Sequence, residues 1–402
     1  MIFSKSKNVY LRGLFDFPVN AHALNGRRSR LSLYKSMPRI VAAIAAIGLL
    51  LSAAVPSLAQ KEPAPLIAID PGHQRKANTE LEPVGPGASE KKLKVAGGAT
   101  GVATKKPEYI LTLEVSMLVK EKLAGLGYRV LMTREKHDVD ISNKERADLA
   151  NDAGASLFVR VHADGDRSAA SNGISVLYPS ASSRYTASIS EDSMQAAKAV
   201  LDSMVKETGA RSRGAVSRDD LSGFNWSKIP TVLVEMGFMS NPDEDKRMSE
   251  PAYQDMLAEG MVAGIVEYLA AKGKALSPET VDETMTLLTQ TGLYTKEGVR
   301  FAETDVSLSP QQVRIFEKLG RWGHIRTWLG DRWVPLDRAL AGEVVPEEGS
   351  HALTAKTPFY AVPGDSVPLG ELAPQTLEKV ASWQQGWLCV RTWLGDSWIL
   401  TE

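Results

Sequence analysis

Between Leu66 and Lys272, short apolar runs alternate with longer amphipathic stretches, and this alternation constrains the fold more tightly than any other feature of the chain. Leu66–Ile69, Tyr128–Met132, Ser156–Val161, Ile174–Tyr178 and Thr231–Val234 have the length and composition of strands. Pro107 suits the first residue of a helix; Leu111, Val115, Val119, Leu123 and Leu126 then recur every three or four residues, and Gly127 ends the run. Residues 142–153, 191–208 and 251–272 give further helices. Strands alternating with helices predict an α/β domain over residues 60–272, a mixed sheet with helices on both faces.

The composition changes past Lys272. Residues 273–285 lack periodicity and read as a linker, and seven of the eight tryptophans lie beyond them. Trp322-Gly-His-Ile-Arg-Thr-Trp328-Leu-Gly-Asp-Arg-Trp333 recurs 65 residues on as Trp387-Leu-Cys-Val-Arg-Thr-Trp393-Leu-Gly-Asp-Ser-Trp398. Each copy has short β-like runs, a Leu-Gly-Asp turn suited to a hairpin and no long helix. Residues 286–338 and 351–402 are therefore expected to form two small all-β barrels. The pattern resembles the bacterial SH3-like modules attached to cell-wall enzymes. Exposed aromatics on such barrels can form a platform for sugar or peptide, while about half are expected in the core.

The first 59 residues hold 8 Lys/Arg and 1 Asp/Glu, which leaves a net charge of −8 on the remaining 343. Ile40 to Pro56 is an uncharged run rich in Ala, Leu and Ile, followed by Ser57-Leu58-Ala59, a small-x-small cleavage site. Residues 1–59 thus read as an export signal region, with Met37 as an alternative start. The run falls short of the roughly 20 apolar residues of a membrane span, so no stable span is expected after cleavage; an uncleaved anchor is the lesser reading. An acidic mature chain has no basic footprint for nucleic acid. The single cysteine, Cys389, excludes an intrachain disulfide and a Cys-based zinc cluster, leaving His, Asp and Glu as metal ligands.

Three polar residues interrupt the ends of apolar strands. His73 follows Ile69-Asp70-Pro71-Gly72, His162 closes Phe158-Val-Arg160-Val-His162, and Glu235 closes Val232-Leu-Val-Glu235-Met-Gly237. The carboxyl ends of sheet strands are where α/β proteins place their sites. Two histidines and a carboxylate make the ligand set of a catalytic zinc that keeps one position open for water.

Ile-Asp-Pro-Gly-His73, Val-His162-Ala-Asp and Val-Leu-Val-Glu235-Met-Gly-Phe-Met-Ser-Asn, in this order, resemble the zinc-dependent N-acetylmuramoyl-L-alanine amidases over about residues 66–270. That resemblance implies a peptidoglycan hydrolase cutting the amide between the lactyl group of N-acetylmuramic acid and L-alanine. It implies Zn2+ held by His73, Glu108 and His162, with Glu235 catalytic, and a secreted, wall-associated protein. Residues 75–106 form a long insertion, and Gln74 stands where a glycine often follows the first histidine. The insertion brings Glu82 and Glu90 as alternatives to Glu108, which is favoured because it opens a packed helix.

Around these residues, Asp70 is expected to support the His73 loop, and Arg134 and Arg146 to be structural. Arg160 shares a strand face with His162 and is a candidate for a substrate carboxylate, or for a salt bridge; Asn225 and Trp226 are candidates for the groove border. His22, His137, His324 and His351 read as solvent-exposed. Two rival functions follow from the same residues: a zinc peptidase acting on wall peptides, and a wall-binding protein without catalysis.

Overall fold

The computed structural model describes residues 63–384 and 386–401 of the chain; the expected export region 1–59, with Met37 and His22, lies outside the described residues. In chain order the first elements are β1 (Leu66–Pro71), β2 (Asn78–Pro83), β3 (Lys91–Val95), α1 (Glu108–Gly125), β4 (Arg129–Met132), α2 (Asn143–Asp152) and β5 (Leu157–Asp164). There follow β6 (Ile174–Pro179), α3 (Ala187–Thr208), β7 (Ser212–Arg218), α4 (Ser222–Asn225), β8 (Thr231–Phe238), α5 (Pro242–Met248) and α6 (Pro251–Ala271). Six strands form one sheet in the order β4-β1-β5-β8-β6-β7. The first four run parallel, and β6 and β7 run opposite to them, which makes the sheet mixed.

Because successive strand residues face opposite sides, each strand supplies both faces of the sheet. Ile67 and Ile69, Val159 and Val161, and Val232 and Val234 bury against Val115 and Val119 of α1, Val200 of α3 and Leu257 of α6. On the reverse face Leu66, Ala68 and Phe158 meet Ala147 and Ala150 of α2, and Leu177 and Leu233 meet Phe224 of α4. Helix α2 starts at a capping box, in which Ser142 accepts from the Glu145 backbone and Glu145 accepts from the Ser142 backbone.

The insertion over residues 75–106 is an ordered element. Its β2–β3 hairpin is tied down by Trp226 Nε1 donating to Pro83 O at 3.0 Å, Lys92 Nζ to Asp220 O at 2.7 Å and Asn143 Nδ2 to Lys94 O at 2.8 Å.

Past α6 the chain is all β. A seven-stranded sheet, ordered β11-β10-β14-β13-β12-β9-β15, is built from β9 (Glu279–Leu287), β10 (Thr291–Glu297), β11 (Arg300–Leu308), β12 (Gln311–Leu319), β13 (Trp322–Thr327), β14 (Gly330–Pro335) and β15 (Ala339–Ala341). Strand β9 begins inside the stretch 273–285 that the sequence presents as linker. Its inward positions Val281, Met285 and Leu287 are separated by charged and hydroxyl residues, so the period is faint.

The second copy comprises β16 (Val345–Pro346), β17 (Ser350–Ala352), β18 (Thr357–Phe359), β19 (Gly370–Leu372), β20 (Thr376–Trp383), β21 (Trp387–Thr392) and β22 (Gly395–Leu400). The repeated segments are the hairpins β13–β14 and β21–β22, closed at Thr327↔Gly330 and Thr392↔Gly395. Trp322 and Trp333 do not stay within their own sheet. They bury in the same apolar cluster as Leu126, Tyr128 and Leu269 of the α/β region.

Candidate metal centre

Strand β1 delivers Asp70 into the interior and then breaks. Asp70 is fully buried, 2.6 Å from Arg146 Nη1 and 2.8 Å from Arg160 Nε, and accepts from Thr133 Oγ1 at 2.5 Å. Burial alone would raise the Asp70 carboxyl; the two guanidinium groups override it and hold the pKa well below the usual carboxylate range. The carbonyls of the turn are occupied as well. Arg134 donates to Pro71 O and Gly72 O, Arg146 to Pro71 O and His73 O, and Thr112 to Gly72 O. Gln74 accepts from Arg146 Nη2 and from Ile141 N, so the glutamine in place of glycine is part of this brace.

The brace holds His73 at φ 61°, a left-handed backbone uncommon outside glycine. Its neighbour Gly72 has to be glycine for another reason: a Cβ there would lie 2.4 Å from the His162 ring.

Three elements converge here. His73 Nε2 lies 3.2 Å from Glu108 Oε1, His162 Nδ1 lies 3.1 Å from Glu108 Oε1, and the two histidine nitrogens are 3.1 Å apart. Two of the three side chains are oriented from behind, while His162 Nε2 has no hydrogen-bond partner among the described residues. His73 Nδ1 faces Ala96 O at 2.8 Å, which places the proton on Nδ1 and leaves the Nε2 lone pair free for the cluster. Glu108 accepts from Ala99 N at 2.7 Å through Oε2 and from Ala163 N at 3.1 Å through Oε1.

Burial opposes charge on Glu108, but the hydrogen bonds with His162 and His73 hold its carboxyl well below the usual range. Burial also opposes charge on His73, whose pKa the Glu108 carboxylate nevertheless raises. For His162 burial wins and pushes the imidazole down to about 4, towards the neutral form that ligates metals.

The cluster fits a zinc-sized cation. Four ligands at about 2.0–2.1 Å in a tetrahedron stand about 3.3 Å from one another, close to the three separations observed. All three donors are N or O atoms of the types zinc takes, and a shared cation relieves the crowding of lone pairs. Neither alternative carboxylate joins them: Glu82 is buried and accepts from Lys144 N at the start of α2, and Glu90 is exposed.

Glu235 sits opposite His162 in the β5–β8 register, on the same face of the sheet. Its Oε2 is shut off from solvent and has no hydrogen-bond partner among the described residues. Burial, reinforced by the negative charges of Glu108 and Asp164, drives its pKa well above the ordinary value.

Arg160 lines a cavity of about 160 Å³ together with His73, His162 and Asn143. Its guanidinium is engaged by Asp70 and, through Nη2, by Asn143 Oδ1 at 2.7 Å. Asn225 is buried in α4, with Oδ1 unpaired among the described residues, and does not line that cavity. Trp226 packs with the α2 face and anchors the hairpin.

Two histidines expected in solvent are not free. His324 stacks on Trp333 at 4.3 Å and bonds Glu317 at 2.8 Å, and His137 packs edge-on against Tyr109. The sequence reading also missed the backbone groups of Ala96 and Ala99, since a peptide carbonyl or N–H leaves no residue-type signal.

Residues 67–267 match the N-acetylmuramoyl-L-alanine amidase family. The chain belongs to that family. It is 28% identical over 247 residues to an N-acetylmuramoyl-L-alanine amidase of Mycobacterium tuberculosis, covering 57% of this chain and 99% of that protein. It is 29% identical over 191 residues to the germination-specific N-acetylmuramoyl-L-alanine amidase of Bacillus subtilis, covering 44% and 76%. With the amidase LytC of the same species it shares 27% over 202 residues, 50% of this chain and 35% of that one. Among solved structures, the N-acetylmuramyl-L-alanine amidase of Mycobacterium smegmatis aligns with 52% of this chain and 99% of its own, at 28% identity and a TM-score of 0.48. As an amidase the chain is a hydrolase of a carbon–nitrogen bond. Among the described residues of this amidase no helix is long and apolar enough to cross a membrane.

Proposed function

We propose that this amidase cleaves the lactyl–L-alanine amide of peptidoglycan in a zinc-dependent reaction, with His73, Glu108 and His162 as ligands and Glu235 as general base. The observation that carries this reading is the triangle of donor atoms 3.1–3.2 Å apart beside a buried, unpaired carboxylate. Zinc bound there would acidify its water from pKa 15.7 to about 7 and polarise the scissile carbonyl.

The chain's own residues do the rest. Glu235 accepts the proton of the attacking water and returns it to the nitrogen of L-alanine, so that a neutral amine leaves. Ala96 O keeps the His73 lone pair in place, and the Asp70–Arg146–Arg160 brace fixes the loop that carries it. Arg160 acts mainly within that brace and borders the substrate only at the small cavity.

The substrate lies outside the cytoplasm, which agrees with residues 1–59 as an export signal and with action at the cell wall. The two Trp-rich β regions, read as SH3-like modules, hold the enzyme on the polymer.

Glu235→Gln separates binding from chemistry. Release of new L-alanine amino termini from purified peptidoglycan is expected to fall by about 10²–10⁴, with one zinc per chain retained by metal analysis. Full activity in Glu235→Gln removes the general base from the proposal, and cleavage exposing another amino terminus makes the enzyme a peptidase.

A further inference from the structure

The repeat builds one turn twice, and the two copies differ in what surrounds them. Trp328 and Trp393 sit at the tips of the β13–β14 and β21–β22 hairpins, 72% and 70% exposed. The turns match bond for bond. Leu329 N and Leu394 N donate to Thr327 Oγ1 and Thr392 Oγ1, each at 3.1 Å, and those hydroxyls donate to Gly330 O and Gly395 O. An indole fixed in water by a rigid turn is poised to cover a ligand at little further entropic cost.

Beside Trp328 lies a cleft of about 760 Å³ whose walls include Gln312, Arg314, Phe316 and Arg326. Arg314 is already paired, bidentate to Asp282 at 2.5 and 2.6 Å. Arg326 stands 5.6 Å from the centre of the Phe316 ring and has no carboxylate partner among the described residues. Its counterpart in the second copy is neutralised: Arg391 pairs with Asp396 at 3.0 Å and with Glu378 at 3.4 Å. The first copy has Arg314 where the second has Glu378, because strands β12 and β20 match at an offset of 64. Trp393 also leans edge-on against Phe359 at 5.5 Å, and Leu394 and Asp396 line a different cleft, between the two sheets.

We propose that the cleft beside Trp328 binds a carboxylate-bearing peptide, with the anion paired by Arg326 and the apolar part of the peptide laid on Trp328 and Phe316. The second copy keeps the turn without the site. A planar guanidinium matches a carboxylate in shape and charge, and Phe316 behind it preserves that orientation. The choice of wall peptide rests on the amidase reading, because that reaction's substrate and product both carry such peptides. Bulk attraction does not explain recognition of an acidic polymer by a chain bearing −8 over residues 60–402; a local unpaired cation does.

The test is calorimetric titration of the full chain with an acidic stem tetrapeptide and with its carboxamide form. Arg326→Gln and Trp328→Ala are each expected to weaken binding of the acidic peptide about tenfold or more, equivalent to about 1.4 kcal/mol. Arg391→Gln and Trp393→Ala are expected to leave it unchanged, and the carboxamide form to bind the unaltered chain as weakly as the acidic peptide binds Arg326→Gln. Equal loss in the second-copy variants overturns the proposal, as does binding retained in Arg326→Gln, or equal binding of the carboxamide peptide or of peptide-free glycan. Loss in Glu235→Gln alone would move the peptide to the catalytic site. Hydrolysis of a muramoyl-tetrapeptide by the unaltered chain is scored separately; its absence overturns the amidase reading and leaves the peptide comparison standing.

Discussion

Asp70 touches none of the proposed reacting atoms, yet the loop that carries His73 hangs on it. Two arginines and a threonine close around its carboxylate in the interior. Asp70→Asn leaves two guanidinium groups buried without their anion, and is expected to cost about 3–5 kcal/mol of unfolding free energy, read by urea denaturation.

The sign with pH follows from the lowered carboxyl pKa. In the unfolded chain Asp70 titrates near 3.9 and in the folded chain well below that. Its contribution is therefore complete at neutral pH, begins to fade as the pH drops through about 4, and goes on falling towards the folded value. The unfolding free energy of the native chain should drop between pH 5 and 3 by more than that of Asp70→Asn (bounds set at about a unit either side of the unfolded value); parallel curves would contradict the assignment. At this scale His73, His162 and Glu235 were legible, because a polar residue ending an apolar run needs a reason. The partners of Asp70 were not, since Arg146 and Arg160 lie 76 and 90 residues away and only the sheet brings them in.

Among the elements, the β2–β3 hairpin escaped the sequence reading because its strands hide no face in the usual way. Leu81 and Leu93 pair across it and both are exposed, so alternation there does not signal a core. Its order comes from distant anchors instead, and its exit strand leads directly into Ala96, whose carbonyl orients His73. Trp226→Phe keeps the ring and removes the Nε1 bond to Pro83 O. The expected result is a loss of about 1 kcal/mol in stability and zinc affinity weakened up to about tenfold through the loosened support of His73, measured by chelator competition. Unchanged affinity would mean that the remaining anchors hold the hairpin alone. The main strands and helices, by contrast, were readable because α1, α3 and α6 all bury against one sheet face and their periods survive in the sequence.

At the scale of the whole molecule, the first β sheet is a structural neighbour of the catalytic region. Arg321 N donates to Gly125 O at 3.1 Å, Leu276 N to Tyr128 Oη at 3.1 Å, and Arg300 pairs with Glu207 at 3.2 Å. Trp322 and Trp333 complete an apolar cluster begun by Leu126 and Tyr128. This packing was not legible beforehand, because an aromatic in a repeat looks the same whether it faces its own barrel or a neighbour.

Gly320 is the closest approach: it has φ 56°, and a Cβ there would stand 2.3 Å from Gly125 O and 2.5 Å from Gly127 N. Gly298 is the natural control, at φ 59° with nothing within 4 Å of its Cβ. Both alanine variants carry the backbone strain of a left-handed residue, about 1 kcal/mol, but only Gly320→Ala must also push the two regions apart. Calorimetry should therefore show Gly298→Ala unfolding like the native chain with a small shift, and Gly320→Ala losing more, with the sheet melting ahead of the α/β region. Glu108 stands at the far end of the 18-residue α1, about 26 Å from Gly125 at 1.5 Å per residue, so hydrolysis of a small muramoyl-peptide is expected to persist below that first transition. If both variants melt alike, the contact at Gly125 contributes nothing to holding the sheet, and the buried tryptophans with the Tyr128 and Glu207 contacts join the two regions.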